Sequence, residues 1–204
     1  MNLLRRAALA GLATVSFALL PSPAVAVPEA LSPHAYRKLV ERVQPCVLKV
    51  VSEPKGFAVL VGVGGELIAD ERLFGKGGVA VEYKGERREA VVVERDAELG
   101  LVLLRLPADD YPAAPVGEAQ ALQKGEALVG LAFSAKGALV AEPGHFAGTR
   151  SVKGVTRLRN DVAGPPGTAL FNVRGQLVAI HAGRSHATVA IEELRSRFAR
   201  KRPE

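Results

Sequence analysis

Gly164-Pro165-Pro166-Gly167-Thr168-Ala169-Leu170-Phe171-Asn172-Val173-Arg174-Gly175-Gln176-Leu177-Val178-Ala179-Ile180 is the stretch whose reading decides the fold. It opens on a glycine and proline turn, enters the apolar run 168–173, changes direction at Arg174-Gly175 and returns through the apolar run 177–182. Two short apolar runs joined by a glycine corner form a β-hairpin. The turn in front of it holds a single hydroxyl, Thr168, and no serine occurs from Val152 to Gly183.

The same punctuation extends in both directions. Upstream, short apolar runs at 46–51, 57–63, 67–69, 79–83, 90–93 and 101–106 are broken by glycine and charged residues. Downstream of a gap they resume at 127–133, 138–142, 145–150 and 155–159, and after the hairpin at 187–191. Many short strands at even spacing indicate an all-β sandwich or barrel. The gap contains Asp109-Asp110-Tyr111-Pro112-Ala113-Ala114-Pro115, with two prolines and no periodicity, the pattern of a joint between two halves. A helix is expected at each end. Ser32 and Pro33 supply an N-cap and a first-turn proline ahead of Tyr36, Leu39, Val40 and Val43, and Ile191, Leu194 and Phe198 repeat at helical spacing. The expected organisation is a leader at 1–26, a helix and lead-in at 27–44, a first barrel at 45–108, a linker at 109–116 and a second barrel with a basic helix at 117–204.

The leader has the features of an export signal. The first 26 residues carry Arg5 and Arg6, no acidic group, an apolar run from Ala7 to Leu20 and the small-x-small ending Ala24-Val25-Ala26. Cleavage after Ala26 is expected, with secretion to a bacterial envelope or periplasm and a soluble mature chain. The run is too short for an ordinary membrane span. Cys46 is the only cysteine in 204 residues, which excludes an internal disulfide framework; its expected role is a small buried residue at the start of a strand. The formal charge is +6 before processing, and part of it gathers at Arg195, Arg197, Arg200, Lys201 and Arg202. A basic helix end of this kind is normally solvated, and contact with an anionic surface is its functional alternative. Tryptophan is absent and aromatics are sparse, so stacked recognition of nucleic acid is not expected.

The order of five segments resembles the HtrA/Deg branch of the trypsin-like serine protease family, over roughly residues 33 to 198. Val43-Gln44-Pro45-Cys46-Val47-Leu48-Lys49-Val50 is similar to that branch's entry strand. Asp96-Ala97-Glu98-Leu99-Gly100-Leu101-Val102-Leu103-Leu104-Arg105 is similar to its segment bearing the triad aspartate. Pro115-Val116-Gly117-Glu118 with Leu122-Gln123-Lys124-Gly125-Glu126 is similar to the run that opens its second barrel. Ala190-Ile191 before a basic helix is similar to its ending, and the hairpin at 164–180 is similar to its nucleophile loop and following strands. The resemblance implies two packed six-stranded β-barrels with short N- and C-terminal helices. HtrA proteins commonly continue into a peptide-binding PDZ domain, so a chain ending at Glu204 is expected to bind its partner through the barrels or the end helices.

That family's chemistry needs serine to attack, histidine to take its proton and aspartate to orient the imidazole. Carried onto this chain, the histidine position falls near Arg72, the aspartate position on Gly100 and the serine position on Pro166. Arginine stays protonated and is no general base, glycine has no side chain, and proline lacks both a nucleophile and the amide hydrogen of an oxyanion hole. A second alignment of the loop, matching Asp161 and Pro166-Gly167, shortens it by about three residues and also supplies no serine.

The resemblance with these substitutions implies a non-catalytic, protein- or peptide-binding or structural module of the envelope, with no cofactor. An extended peptide added as a strand in the cleft between the halves is the expected mode. The enzyme alternative is a serine-type endopeptidase with a rearranged site, in which Thr168, Ser134 or Ser151 meets His145, His181 or His186. A histidine cluster could also bind zinc, but these three lack neighbouring Cys, Asp or Glu in the number zinc requires, and no metal is expected. Asp70-Glu71-Arg72 reads as a charged turn after the Leu67-Ile68 strand.

Overall fold

The structure is a computed structural model that describes residues 31–53, 55–73, 78–134, 136–182 and 187–200. The export signal expected at 1–26, Phe74, His186, Lys201, Arg202 and the side chain of Arg200 lie outside the described residues. Helix α1, Pro33–Val43, starts as its sequence dictates. The hydroxyl of Ser32 accepts the Ala35 N–H at 3.2 Å, Pro33 occupies the first turn, and Leu39 and Val43 are buried. A short 3₁₀ turn, Gln44–Cys46, then leads into the first sheet.

That sheet comprises β1 (Val47–Val50), β2 (Gly56–Leu60), β3 (Glu66–Asp70), β4 (Val79–Tyr83), β5 (Glu86–Asp96) and β6 (Leu101–Arg105). The second comprises β7 (Ala127–Phe133), β8 (Leu139–Val152), β9 (Val155–Asn160), β10 (Ala169–Asn172), β11 (Leu177–Ala182) and β12 (Ala187–Ala190). All the strand pairs are antiparallel, and both sheets close into barrels in the orders β1-β2-β3-β6-β5-β4 and β7-β8-β9-β12-β11-β10. The two barrels therefore share one topology, three strands in sequence followed by three in reverse. Helix α2, Ile191–Arg200, follows the last strand directly. The expected double barrel of six strands each, with a helix at either end, is the observed fold. One local expectation is corrected. The runs 138–142 and 145–150 are one long strand, β8, which carries a bulge between Phe146 and Gly148 as it passes from one neighbour to the next.

Alternation along the strands sorts the apolar residues into three cores. Leu48, Val50, Ala58, Leu60, Leu67, Ala69, Val102 and Leu104 fill the first barrel. Leu128, Phe146, Leu158, Leu170, Val178 and Ala179 fill the second. The intervening residues Val47, Phe57, Val59, Ile68, Leu101 and Leu103 face outward onto Val129, Leu131, Ala169, Phe171, Leu177 and Ile180 of the other barrel. Strands β2, β3, β6, β7, β10 and β11 are thus apolar on both faces, which is why their sequences read as unbroken hydrophobic runs. Leu39 and Val43 of α1 and Ile191, Leu194 and Phe198 of α2 close the ends of this inter-barrel core.

The joint at 109–116 is packed along both barrels. Tyr111 is buried against Tyr83 with ring centroids 4.8 Å apart, Ala114 N–H donates to the Leu60 carbonyl at 2.9 Å, and Leu177 N–H donates to the Pro115 carbonyl at 2.7 Å. Helix α2 is fixed by Arg197. Its guanidinium reaches Asp96 at 3.1 Å and Glu98 at 2.9 Å on the β5–β6 turn of the first barrel, and Glu193 one turn back at 3.2 Å.

Candidate functional site

The cleft between the barrels has a volume of about 490 Å³, within the roughly 300–1,000 Å³ usual for ligand pockets. Its first-barrel wall includes Lys49, Phe57, Asp70, Arg72 and Leu73, and its second-barrel wall Phe133, Val140, Glu142, Pro166 and Thr168. Two of the residues picked out by sequence, Arg72 and Pro166, thus face the same space, with Thr168 beside them. Gly100 does not line the cleft; its carbonyl accepts the N–H of Glu71, the residue before Arg72, at 2.9 Å. Ser134 lines the cleft from the β7–β8 turn, and its Oγ accepts the Ala138 N–H at 3.2 Å. Ser151 lies far along β8, opposite Thr156 of β9.

Asp70, Glu71 and Arg72 form more than a charged turn. Asp70 is the last residue of β3 and is 2% exposed, a burial the sequence reading did not anticipate. Its carboxylate accepts three bonds from Arg72: the main-chain N–H at 2.9 Å, Nε at 2.8 Å and Nη2 at 3.0 Å. The 3₁₀ turn Glu71–Leu73 lets the side chain fold back in this way. The hydrogen bond to Asp70 raises the pKa of the guanidinium further, which places proton acceptance by Arg72 out of reach.

The turn before β6 is built on Asp96. Its Oδ1 accepts the Leu99 N–H at 2.9 Å and its carbonyl accepts the Gly100 N–H at 2.8 Å. Gly100 has φ of 68°, in the left-handed region that glycine enters without steric cost. The only carboxylate of this segment that is buried, Asp96, is turned toward Arg197 and away from the cleft.

The loop ahead of β10 is stitched to the barrel by its own polar groups. Thr168 is 1% exposed, and its hydroxyl donates to the Pro165 carbonyl at 2.6 Å, which also accepts the Thr168 N–H at 3.1 Å. Gly167 N–H donates to the His181 carbonyl at 2.7 Å, and His181 N–H donates to the Thr168 carbonyl at 2.9 Å. Pro165 and Pro166 have no N–H to offer, so neither the prolines nor the next two amides point a free donor into the cleft. The loop lies flat on β7 because position 130 is glycine: a Cβ there would sit 2.5 Å from Val162 Cγ1 and 3.0 Å from Thr168 Cγ2. At the far side of the hairpin Asn172 Oδ1 accepts the N–H groups of Arg174 and Gln176, each at 3.0 Å, which shapes the Arg174-Gly175 corner.

The histidines are dispersed. His145 on β8 is exposed and pairs with Asp161; its main-chain N–H donates to Asp161 Oδ1, and its Nδ1 lies 3.5 Å from Oδ2. The main-chain bond, aided by the imidazole, holds the Asp161 carboxyl below the ordinary aspartate range. His181 is buried on β11, directly across the ladder from Thr168. Among the described residues no three His, Cys, Asp or Glu side chains come together to hold a metal ion.

One edge of strand bordering the cleft is open. Among the described residues, β8 pairs with β7 alone from Leu139 to Gly144; His145 is already tied to Asp161 through both its N–H and its carbonyl, and the ladder with β9 begins at Phe146. Val140 and Glu142, on this half-paired segment, line the cleft.

Residues 48–180 match the trypsin-like peptidase domain family. No curated protein matches the chain in sequence. Among solved structures, Rv3671c from M. tuberculosis H37Rv in an inactive form superposes with a TM-score of 0.71 at 16% identity, covering 87% of this chain and 98% of that one. A serine endoprotease from Yersinia pestis gives a TM-score of 0.70 at 19% identity, covering 83% of this chain and 67% of that one. The HtrA-type protease AlgW with a decapeptide gives 0.68 at 18% identity; 80% of this chain is covered, and it spans 66% of AlgW's length. Among the described residues no helix is long and apolar enough to cross a membrane.

Proposed function

Because the chain belongs to the trypsin-like peptidase family, we propose that it is a member which has lost hydrolysis and kept the inter-barrel cleft as a peptide-binding site. Arg72, Gly100 and Pro166 stand in for the histidine, aspartate and serine of the triad. The observation that carries this reading is the pairing of Arg72 with Asp70 in the cleft wall that faces Pro166: one side presents a guanidinium locked to a buried carboxylate, the other a residue with neither hydroxyl nor amide hydrogen. Triad groups act as a unit, so the loss of all three leaves no route to an acyl-enzyme. Peptide binding draws support from the open edge of β8 beside the cleft and, by analogy of fold, from the decapeptide held by AlgW. Export is part of the proposal, through the signal at 1–26, and N-terminal sequencing of the secreted protein should return Val27 first.

The decisive assay incubates the mature protein with unfolded casein and with a fluorophosphonate probe. No cleavage and no label is the expected result. Either one co-purifying with the protein through successive columns overturns the reading.

A rearranged hydrolase is the second reading, and one observation favours it: Thr168, the sole hydroxyl of the loop, lies across the ladder from the buried His181. Against it, the Thr168 hydroxyl directs its proton to the Pro165 carbonyl. Activity that disappears in both Thr168→Val and His181→Ala would establish this second reading. Of the five basic residues of the anionic-surface alternative, Arg197 is paired with three carboxylates of this chain.

A further inference from the structure

Resting on the peptide-binding reading above, we infer that the cleft selects a peptide carrying a carboxylate beside an apolar residue, and that Lys49 receives the carboxylate. Lys49 sits on β1 with its side chain half-buried in the cleft wall. Its ammonium spans from the first barrel to the β7–β8 turn of the second, where Nζ lies 3.0 Å from the point a Cβ on Gly137 would occupy. Among the described residues no carboxylate forms an ion pair with it. Glu82, its partner across the ladder, is exposed and unpaired with it.

Of the other charges lining the cleft, only Arg72 and Asp70 pair within its walls. Arg72 and Asp70 neutralise each other. Lys55 lies at the exposed rim, 3.8 Å from Glu53, a contact of little strength in water. Glu142 belongs to the opposite wall, near enough to Tyr36 to raise the phenol's pKa in addition to the larger effect of burial. What remains is a half-buried lysine with no ion-pair partner among the described residues, sharing the cleft with an apolar surface made of Phe57, Leu73, Phe133 and Val140. A ligand carboxylate recovers electrostatic energy that the folded chain alone leaves unused, and the neighbouring apolar wall takes a hydrophobic side chain.

The test uses the purified chain and a displayed library of random heptapeptides. The most enriched peptide is synthesised in its acidic form and with each Asp or Glu changed to the amide, and both are titrated by fluorescence anisotropy. Enrichment of an acidic residue next to an apolar one is expected, with the amide form binding about five- to tenfold more weakly, as for one charge-assisted contact. Lys49→Met should bind both forms alike, at the amide form's affinity, which also shows that the variant is folded. Equal binding of the two forms by the unaltered chain overturns the acidic selectivity while leaving peptide binding standing. Discrimination that persists in Lys49→Met overturns the assignment to Lys49. Absence of any enriched peptide overturns the peptide-binding reading itself, and this inference with it.

Discussion

The guanidinium of Arg72 folds back onto the carboxylate of Asp70, two residues earlier in the chain, with Nε 2.8 Å from Oδ1 and Nη2 3.0 Å from Oδ2. Asp70 is almost fully buried while Arg72 is half exposed, so the pair is asymmetric: removing the arginine strands a buried charge, whereas removing the aspartate frees an arginine that water can solvate. Arg72→Ala should therefore lower unfolding stability by about 1–3 kcal/mol in urea titrations, and Asp70→Ala by less. Equal losses in the two variants would contradict the asymmetry. Arg72→His should gain no caseinolytic activity, because Gly100 offers no carboxylate to orient the ring.

Arg197 joins α2, which follows the second barrel, to Asp96 and Glu98 of the first. Its side chain is 23% exposed and that of Asp96 6%, so this pair is shielded more than a typical surface bridge. A double-mutant cycle on Arg197→Met and Asp96→Asn should return a coupling of about 1–2 kcal/mol. Hydrogen exchange in α2 should speed up in each single variant. Strict additivity would mean that the clamp is ornamental.

Phe171 is fully buried in the core shared by the barrels, on β10 of the second. Phe171→Ala should cost about 3–5 kcal/mol. Because the core is shared, emission from Tyr83 and Tyr111, which are packed in the first barrel, should lose its cooperative transition at the same lower urea concentration as the circular dichroism. Separate midpoints would show that the barrels unfold independently.

Burial pushes the Cys46 thiol from 9.0 up to about 11. The folded state therefore holds this proton more tightly than the unfolded one. The stability it contributes is complete below pH 9.0 and is lost as the pH rises toward about 11. The native protein should resist a thiol reagent at pH 8 and react promptly in denaturing urea. Above pH 9 its stability should fall more steeply than that of Cys46→Ala. Fast labelling of the native protein would refute the burial.

Much of the fold was legible because its strands announce themselves. The hairpin at 164–180, the helix cap at Ser32 and the unbroken apolar runs of β2, β3, β6, β7 and β11 each follow from local chemistry, and the family resemblance supplied their arrangement. The continuity of β8 was hidden, since Pro143 and Gly144 look like a break when a bulge elsewhere is what redirects the strand. That the two barrels repeat one topology was likewise invisible, as the repeat lies in the pairing order and not in the residues.

For the site, the sequence by itself determined which side chains stand at the positions the family resemblance proposes for the triad: arginine at 72, glycine at 100 and proline at 166, none of which can take over the missing role. Only the tertiary structure decided what occupies their place. It buried Asp70 and turned Arg72 upon it, turned Asp96 away to Arg197, bound the Thr168 hydroxyl to the Pro165 carbonyl and left Lys49 at the cleft with no ion-pair partner among the described residues. Charge pairing and burial depend on distances between residues far apart in the chain, and those distances exist only once the two barrels have closed against each other.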